Sequence, residues 1–532
     1  MSIYEGKVPE STIDVSLTRF LEEAVGRYRN RAVMTFEGNE TSYGQLLEAS
    51  ERLAAALHER GVGKGDRVAL MLPNCPEYLI SFFAIARIGA VVTQVNPIYV
   101  ERELEHILDN SGAETIIVNE DAYPTVRAVR DDTPLKRVIV AGEVVKDLEG
   151  SDATFDSFLE SASGTAPAVE IDPVEDLATI QYTGGTTGVS KGAMLTHRNL
   201  LANIEQNVSL ALEDSRDLDG GKSVAVAPFF HIFGTTVVLL TSIMNGMNML
   251  LVPRFQVDEM MELIERERPA MLAGVATIFT ALYGYPDMEE YGLDEVLLYV
   301  SGGQSVPVGL LESFERRTGQ PIFEGYGLSE GAPVSINTYL RGPVGGSIGL
   351  PMPSTDMRIV DVETGKDEVP IGESGELIIK GPQVMKGYWN MPEETAEALR
   401  DGWLHTGDVA RMDEDGYFYI VDRKKDVIVA SGYNVYPREI EETLYQWEEV
   451  AEVVAVGVPD EYRGETIKAF VAPKPGSDVT EEKLVEYCKE NLAPYKVPKE
   501  IEFRDELPKS AVGKLLRRVL ADEERQKKEE DG

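Results

Sequence analysis

Apolar residues recur at helical spacing from Leu17 to Tyr28. Thr41-Ser42-Tyr43-Gly44-Gln45-Leu46-Leu47 opens a second amphipathic segment that continues to about Arg60, with alanine and leucine on one face. A glycine-rich break at 61–66 separates it from the apolar run Arg67-Val68-Ala69-Leu70-Met71-Leu72, which predicts a buried strand. A helix over 77–88 and a strand over 89–95 follow, then two short apolar strands at 115–118 and 137–140. This alternation predicts parallel βαβ units with right-handed crossovers. The stretch 151–176, rich in Ser, Ala, Asp and Glu, reads as a surface connection. Alternation then resumes with strands at 177–181, 223–227, 271–275 and 297–300 and a helix beginning at 196–200.

Near residue 375 the pattern changes. Short strands at 358–361, 375–380 and 416–421, punctuated by Gly, Pro and Asp, leave little room for helices and predict an antiparallel β subdomain. Beyond 422–426 comes a unit of small-domain size, in which helices at 437–445 and 481–491 alternate with strands at 453–458 and 467–473. The predicted fold is α/β: a large N-terminal domain, 1–424, of βαβ subdomains plus a β subdomain, and a small α+β C-terminal domain, 425–532. The charged residues 521–532 are expected to fray.

Composition narrows the function. Ninety-one acidic residues against 51 basic ones give a formal charge of −40, which repels nucleic acid and anionic lipid. The same excess keeps a protein hydrated in concentrated salt, where self-repulsion is screened, and so predicts a salt-adapted, halophilic protein. Two cysteines exclude a disulfide framework, and five histidines without ligand spacing argue against a zinc centre. No secretory signal opens the chain, and the most apolar stretch, 237–252, is too short and too polar to span a bilayer. A cytoplasmic protein is expected, with room for a homodimer.

The candidate chemistry centres on Tyr182-Thr183-Gly184-Gly185-Thr186-Thr187-Gly188-Val189-Ser190-Lys191-Gly192. Glycines let backbone N–H groups approach a ligand, and hydroxyls and a lysine add donors, so the loop is an anion cradle by composition. It is not a Walker A loop, because the glycine and lysine spacing fails. The loop resembles the phosphate-binding signature of the adenylate-forming superfamily, which holds acyl-CoA synthetases, luciferases and peptide-synthetase adenylation domains. Glu324-Gly325-Tyr326-Gly327-Leu328-Ser329-Glu330, Thr406-Gly407-Asp408, Asp422-Arg423-Lys424-Lys425-Asp426 and 508–514 resemble its other motifs, in the family's order.

The resemblance implies a role for each residue. Thr183, Gly184, Gly185, Thr186, Thr187, Gly188 and Lys191 would hold the β- and γ-phosphates of ATP. Glu330 would bind Mg²⁺ with Thr186 as a second contact, and Ser329 stands where many members have threonine. Tyr326 would stack on adenine beside Gly302 and Gly303, with Gly327 in the same turn. Asp408 and Arg423 would hold the ribose, although Thr-Gly-Asp alone reads as a turn. Lys514 would bridge the carboxylate and α-phosphate, the domain would rotate at Lys425, and Gly432 and Tyr433 would line the path of coenzyme A. His231, Phe230, Thr277, Gly325, Ala332 and Val334 would form the acyl pocket, whose small and apolar character favours a fatty or aryl acid.

An AMP-forming acyl-CoA synthetase acting on a medium- or long-chain fatty acid is the leading expectation. Aryl or 4-coumarate-type ligation, adenylation for a carrier protein, luciferase-type oxidation and a non-catalytic nucleotide-binding regulator are the alternatives.

Overall fold

The computed structural model describes residues 8–142, 148–183, 190–213, 218–430, 433–460, 464–509 and 515–531. Two large, mostly parallel sheets make up the N-terminal part. The seven-stranded one runs Ala153–Thr154, Arg137–Ala141, Thr115–Asn119, Arg67–Met71, Val91–Gln94, Leu177–Tyr182, Gly192–Thr196, and only its last pair is antiparallel. The nine-stranded sheet runs from Leu350–Pro351 through Ala332–Ile336, Ile322–Leu328, Leu298–Ser301, Met271–Gly274, Lys222–Ala225 and Asn248–Leu251 to Ala32–Phe36 and Asn39–Ser42. Its centre is parallel and each end is an antiparallel hairpin. All four residues of Val91–Gln94 are buried, as expected of a parallel strand covered on both faces.

Local signals explain the element starts. The Ser42 hydroxyl accepts the Gln45 N–H at 3.2 Å while the Gln45 side chain accepts the Ser42 N–H at 2.8 Å, a capping box that begins Tyr43–Glu59. Pro76 at the first turn begins Pro76–Arg87, which carries Tyr78, Phe82 and Phe83 between the sheets at 0–1% exposure. The Tyr78 hydroxyl lies 2.8 Å from both Gln94 Oε1 and the Phe229 carbonyl, so one side chain ties the two sheets together.

The β subdomain has five strands: Asp356–Val360, Gly375–Lys380, Trp403–Met412 and Leu399–Arg400 in order, with Phe418–Arg423 pairing Trp403–Met412. Sequence patterning did not reveal Trp403–Met412, because Thr406-Gly407-Asp408 interrupts its apolar run. Gly407 nonetheless adopts φ +71° inside the strand. The C-terminal unit wraps the helices Pro437–Tyr445 and Glu481–Asn491 on a second five-stranded sheet built on the Val450–Asp460 and Gly464–Pro473 pair.

Two expectations need correction. The connection 151–176 is not merely superficial: it contains the helix Phe155–Glu160, and Phe155 and Phe158 are buried in the main core. The charged C-terminus is not frayed at 521 but forms the helix Arg517–Asp531. Leu520 is fully buried, and the i,i+4 pair Arg518–Asp522 and the ion pair between Lys468 and Glu524 support the helix. None of the described helices is long and apolar enough to cross a membrane.

Candidate active site

The strand Ile322–Leu328 leaves the parallel sheet and turns back as Ala332–Ile336, with a bulge between Tyr326 and Gly327. A Cβ on Gly327 would lie 2.5 Å from the Ala332 carbonyl oxygen, so only glycine lets the strands close there. The bulge aims Tyr326 at the β subdomain, where its hydroxyl donates to Asp408 Oδ2. Arg423 Nε stands 3.2 Å from Asp408 Oδ1, because Asp408 and Arg423 are directly paired on Trp403–Met412 and Phe418–Arg423. Burial first, and then the Asp408 charge, push the Tyr326 hydroxyl far above its ordinary range, so it stays a donor.

Glu330 follows in the same turn. Tyr388 donates to its Oε1 at 2.6 Å, and Lys191 Nζ sits 5.1 Å from the centre of the Tyr388 ring. Burial raises the Glu330 carboxyl above the usual range, opposed by the Tyr388 hydrogen bond. Tyr388 is held there because residues 386–389 lie along Gly192–Thr196. The Met194 N–H donates to the Gly387 carbonyl at 2.9 Å and the Trp389 N–H donates to the Gly192 carbonyl at 2.8 Å. The two ends of the glycine-rich loop are pinned together: the Thr183 N–H donates to the Lys191 carbonyl at 2.9 Å, and the Ser190 hydroxyl donates to the Thr183 carbonyl. Thus Thr183, Lys191, Glu330, Tyr326, Asp408 and Arg423 converge from four separate regions of the chain.

Gly302 and Gly303 end the strand Leu298–Ser301. A Cβ on Gly302 would meet the Phe233 ring at 3.2 Å, and Gly303 has φ +79°. The Phe233 N–H donates to His231 Nδ1 at 3.3 Å, so Phe233 joins the expected adenine side to the expected acyl side. The turn holding Phe230 and His231 is locked by Asn74, which donates to the Ala225 and Ala227 carbonyls and accepts the Phe229 N–H at 2.8 Å. The Phe230 carbonyl accepts from Gln181 at 2.5 Å. Thr277 is half-buried at the start of Ala276–Tyr283. A Cβ on Gly325 would reach the Ser335 carbonyl at 3.1 Å. Ala332 and Val334 are fully enclosed, and Val334 packs with Ile348, Leu377 and Phe418 of the β subdomain. Ser329 is half-buried in the turn and Lys425 is exposed two positions after Arg423. Tyr433 lies in the strand Tyr433–Val435. Gly184, Gly185, Thr186, Thr187, Gly188, Gly432 and Lys514 lie outside the described residues.

The profile of the AMP-binding enzyme family matches residues 21–389, and that of the AMP-binding enzyme C-terminal domain matches 439–514. The chain belongs to the AMP-binding enzyme family. This AMP-binding enzyme is 42% identical over 544 residues to the long-chain-fatty-acid–CoA ligase of Bacillus subtilis strain 168, covering 98% of this chain and 96% of that protein. Its fold matches the anthranilate CoA ligase AuaEII in complex with anthranoyl-AMP, at TM-score 0.90 and 26% identity over 98% of this chain and 99% of that one. ATP-bound MatB from Rhodopseudomonas palustris matches at TM-score 0.86 and 30% identity, and its apo form at 0.76 and 31%, each over 96% of this chain and 99% of that one.

Sequence reading missed three residues that hold the candidate site together in this AMP-binding enzyme. Tyr388 carries no recognisable motif, and only its distant pairing with Gly192–Thr196 brings it to Glu330. Phe233 and Asn74 act through packing and backbone hydrogen bonds, which leave no spacing signal. The glycine that follows the predicted strand at 297–300 was the usable clue for Gly302, whereas Gly192 opens the strand Gly192–Thr196. A Cβ on Gly192 would fall 2.5 Å from Ile180.

Proposed function

We propose that this AMP-binding enzyme is an ATP-dependent, AMP-forming acyl-CoA synthetase that activates a long-chain fatty acid. The observation that carries the reading is the juxtaposition of Tyr326, Asp408 and Arg423 with Glu330, Tyr388 and Lys191, a ribose-and-base end beside a phosphate-and-cation end. The full-length likeness to a long-chain-fatty-acid–CoA ligase supports the choice of acid. In the first half-reaction a carboxylate oxygen bonds to the α-phosphorus of ATP as the bond to pyrophosphate breaks. In the second, the CoA sulfur bonds to the acyl carbon and AMP leaves.

Asp408 accepts from the ribose hydroxyls, Arg423 donates from the other side, and Tyr326 covers the base against Gly302 and Gly303. Lys191 and the hydroxyls of the glycine-rich loop carry the phosphates, and Lys514 meets the charge that develops at the α-phosphate. Among the described residues no group of three or more acidic, histidine or cysteine side chains is arranged to hold a metal. A magnesium ion fits this donor set as one carboxylate, Glu330, shared with substrate phosphates, because Mg²⁺ prefers a few carboxylates plus phosphate and water. It would neutralise charge on the phosphates; Tyr388 meanwhile fixes the orientation of the carboxylate. Residues 1–424 carry the ATP and acyl sites, and 425–532 swing about Lys425 to bring Lys514, then Gly432 and Tyr433, to the substrates. Both ATP and CoA are cytoplasmic pools, in keeping with a cytoplasmic enzyme.

The test is pyrophosphate release in molar KCl with ATP, Mg²⁺ and acids of increasing chain length, with and without CoA. Acid-dependent release that peaks with long-chain acids, and thioester only when CoA is present, is expected. Turnover of aromatic acids or acetate alone overturns the substrate assignment, and release without thioester points to a carrier-protein acceptor. The charge of −40 further makes this a salt-adapted enzyme. Its melting temperature is expected to rise between dilute buffer and molar KCl as salt screens self-repulsion, and a flat profile overturns that reading.

A further inference from the structure

One charged knot outside the substrate site joins the two sides of residue 425. Arg517, at the head of the C-terminal helix, sends one guanidinium nitrogen to Asp422 Oδ1 and Asp426 Oδ2, each at 3.1 Å. It sends the other to both oxygens of Glu441 at 2.9 Å. Asp422 is the residue before Arg423 on the strand Phe418–Arg423, and its side chain is only 2% exposed. Its carboxylate also accepts the N–H of Arg423 at 2.7 Å and the N–H of Arg438, in the first turn of Pro437–Tyr445, at 2.9 Å. Glu441 in turn accepts the Ala455 N–H at 2.8 Å. Three carboxylates from two flanks of a single chain crossing therefore depend on one planar, forked cation, a task that lysine's point charge cannot perform.

We propose that Arg517 is a clamp across the Lys425 crossing that holds the C-terminal unit in the adenylating arrangement. It is a positioning residue: it touches no substrate and acts through Asp422 and Asp426 on the backbone that carries Arg423. The inference rests on the ligase reading for its consequence but not for its geometry. Its guanidinium is seated on Asp422, the residue immediately before Arg423 on the strand Phe418–Arg423. The arrangement described here also superposes more closely on ATP-bound than on apo MatB. When the C-terminal unit rotates, the Asp422 arm breaks, while the Glu441 arm travels with the unit. The clamp therefore favours one of the two half-reactions.

The experiment compares the full chain with its Arg517→Gln and Asp422→Asn variants in molar KCl, with Arg518→Gln as control. Arg518 bonds within its own helix, to Asp522 at 3.2 Å. In the substrate-free proteins, trypsin cleavage at 423–425 is expected to speed up at least tenfold in both clamp variants and to stay within twofold in the control. Acid-dependent exchange of pyrophosphate into ATP is expected to fall at least tenfold in the clamp variants. Conversion of supplied acyl-adenylate and CoA to thioester is expected to be unchanged or faster. An equal fall in both half-reactions, or unchanged cleavage in Asp422→Asn with intact melting, overturns the clamp. If wild type exchanges pyrophosphate with no acid, the ligase reading fails, and the cleavage arm still decides the clamp.

Discussion

Asp408→Asn is expected to lower kcat/KM for ATP by about 100-fold or more while leaving the melting temperature within a few degrees. Asp408 is 6% exposed and holds two groups at once, the Tyr326 hydroxyl and Arg423. In the proposed complex its carboxylate also accepts from the ribose. Hydrogen bonds to a charged partner are worth about 1.5–3 kcal/mol each, so losing two of them amounts to roughly two orders of magnitude or more. Asparagine keeps the volume, and one acceptor for Tyr326 or the ribose, which confines the loss to charge. The effect should appear with every acid tested, since the proposed role of this trio is to hold the nucleotide. A variant with unchanged ATP kinetics would remove Asp408 from the ribose site.

A second large effect concerns pH. His197 is fully buried, its Nδ1 accepts the Leu17 N–H at 3.2 Å, and burial pushes its pKa down to about 4. Between pH 4 and 6.5 the unfolded chain binds a proton that the folded chain refuses, so this group makes stability rise with pH. Glu324 behaves oppositely. It is 3% exposed, receives the Val306 N–H at 3.3 Å, and burial pushes it up to about 7. Between pH 4.5 and 7 the folded chain keeps a proton that the unfolded chain has lost, so stability falls as pH rises. Each excursion amounts to about 3 kcal/mol, and across pH 4.5–6.5 the two oppose one another. Glu324→Gln mimics the protonated acid. The variant is expected to match wild type in denaturant unfolding at pH 4.5, to be about 3 kcal/mol more stable at pH 8, and to show the His197 slope uncovered. Identical pH profiles for the two proteins would refute this linkage.

Periodic segments were legible from the sequence because their burial is local in origin. Leu17–Tyr28 presents Leu17, Phe20, Leu21, Ala24 and Val25 on one buried face, and the parallel strands announce themselves as apolar runs. The Tyr326 turn was legible because glycines cluster there, and Thr183 and Lys191 stood out because they flank a run of glycines and hydroxyls. Asp408 needed more: Thr-Gly-Asp alone reads as a turn, yet the residue sits mid-strand, where Gly407 absorbs a left-handed φ and Arg423 is fixed opposite by register. Tyr388 was illegible, since its position depends on backbone pairing with a strand far earlier in the chain. The C-terminal helix was misread because its charge hid how Leu520 and the ion pairs anchor it.

The hairpin Ala32–Phe36 and Asn39–Ser42 closes one end of the nine-stranded sheet, pairing Met34 with Met249. A growing chain emerges from the ribosome N-terminus first, so this hairpin waits without its partner until residue 251 has been made. The seven-stranded sheet, by contrast, has all its strands once Thr196 is out. Synthesis thus imposes an order: one sheet can pair during translation while the first hairpin stays an open edge that solvent and neighbouring nascent chains can reach. In so acidic a protein, charges around that edge such as Glu37 and Glu40 oppose its premature pairing.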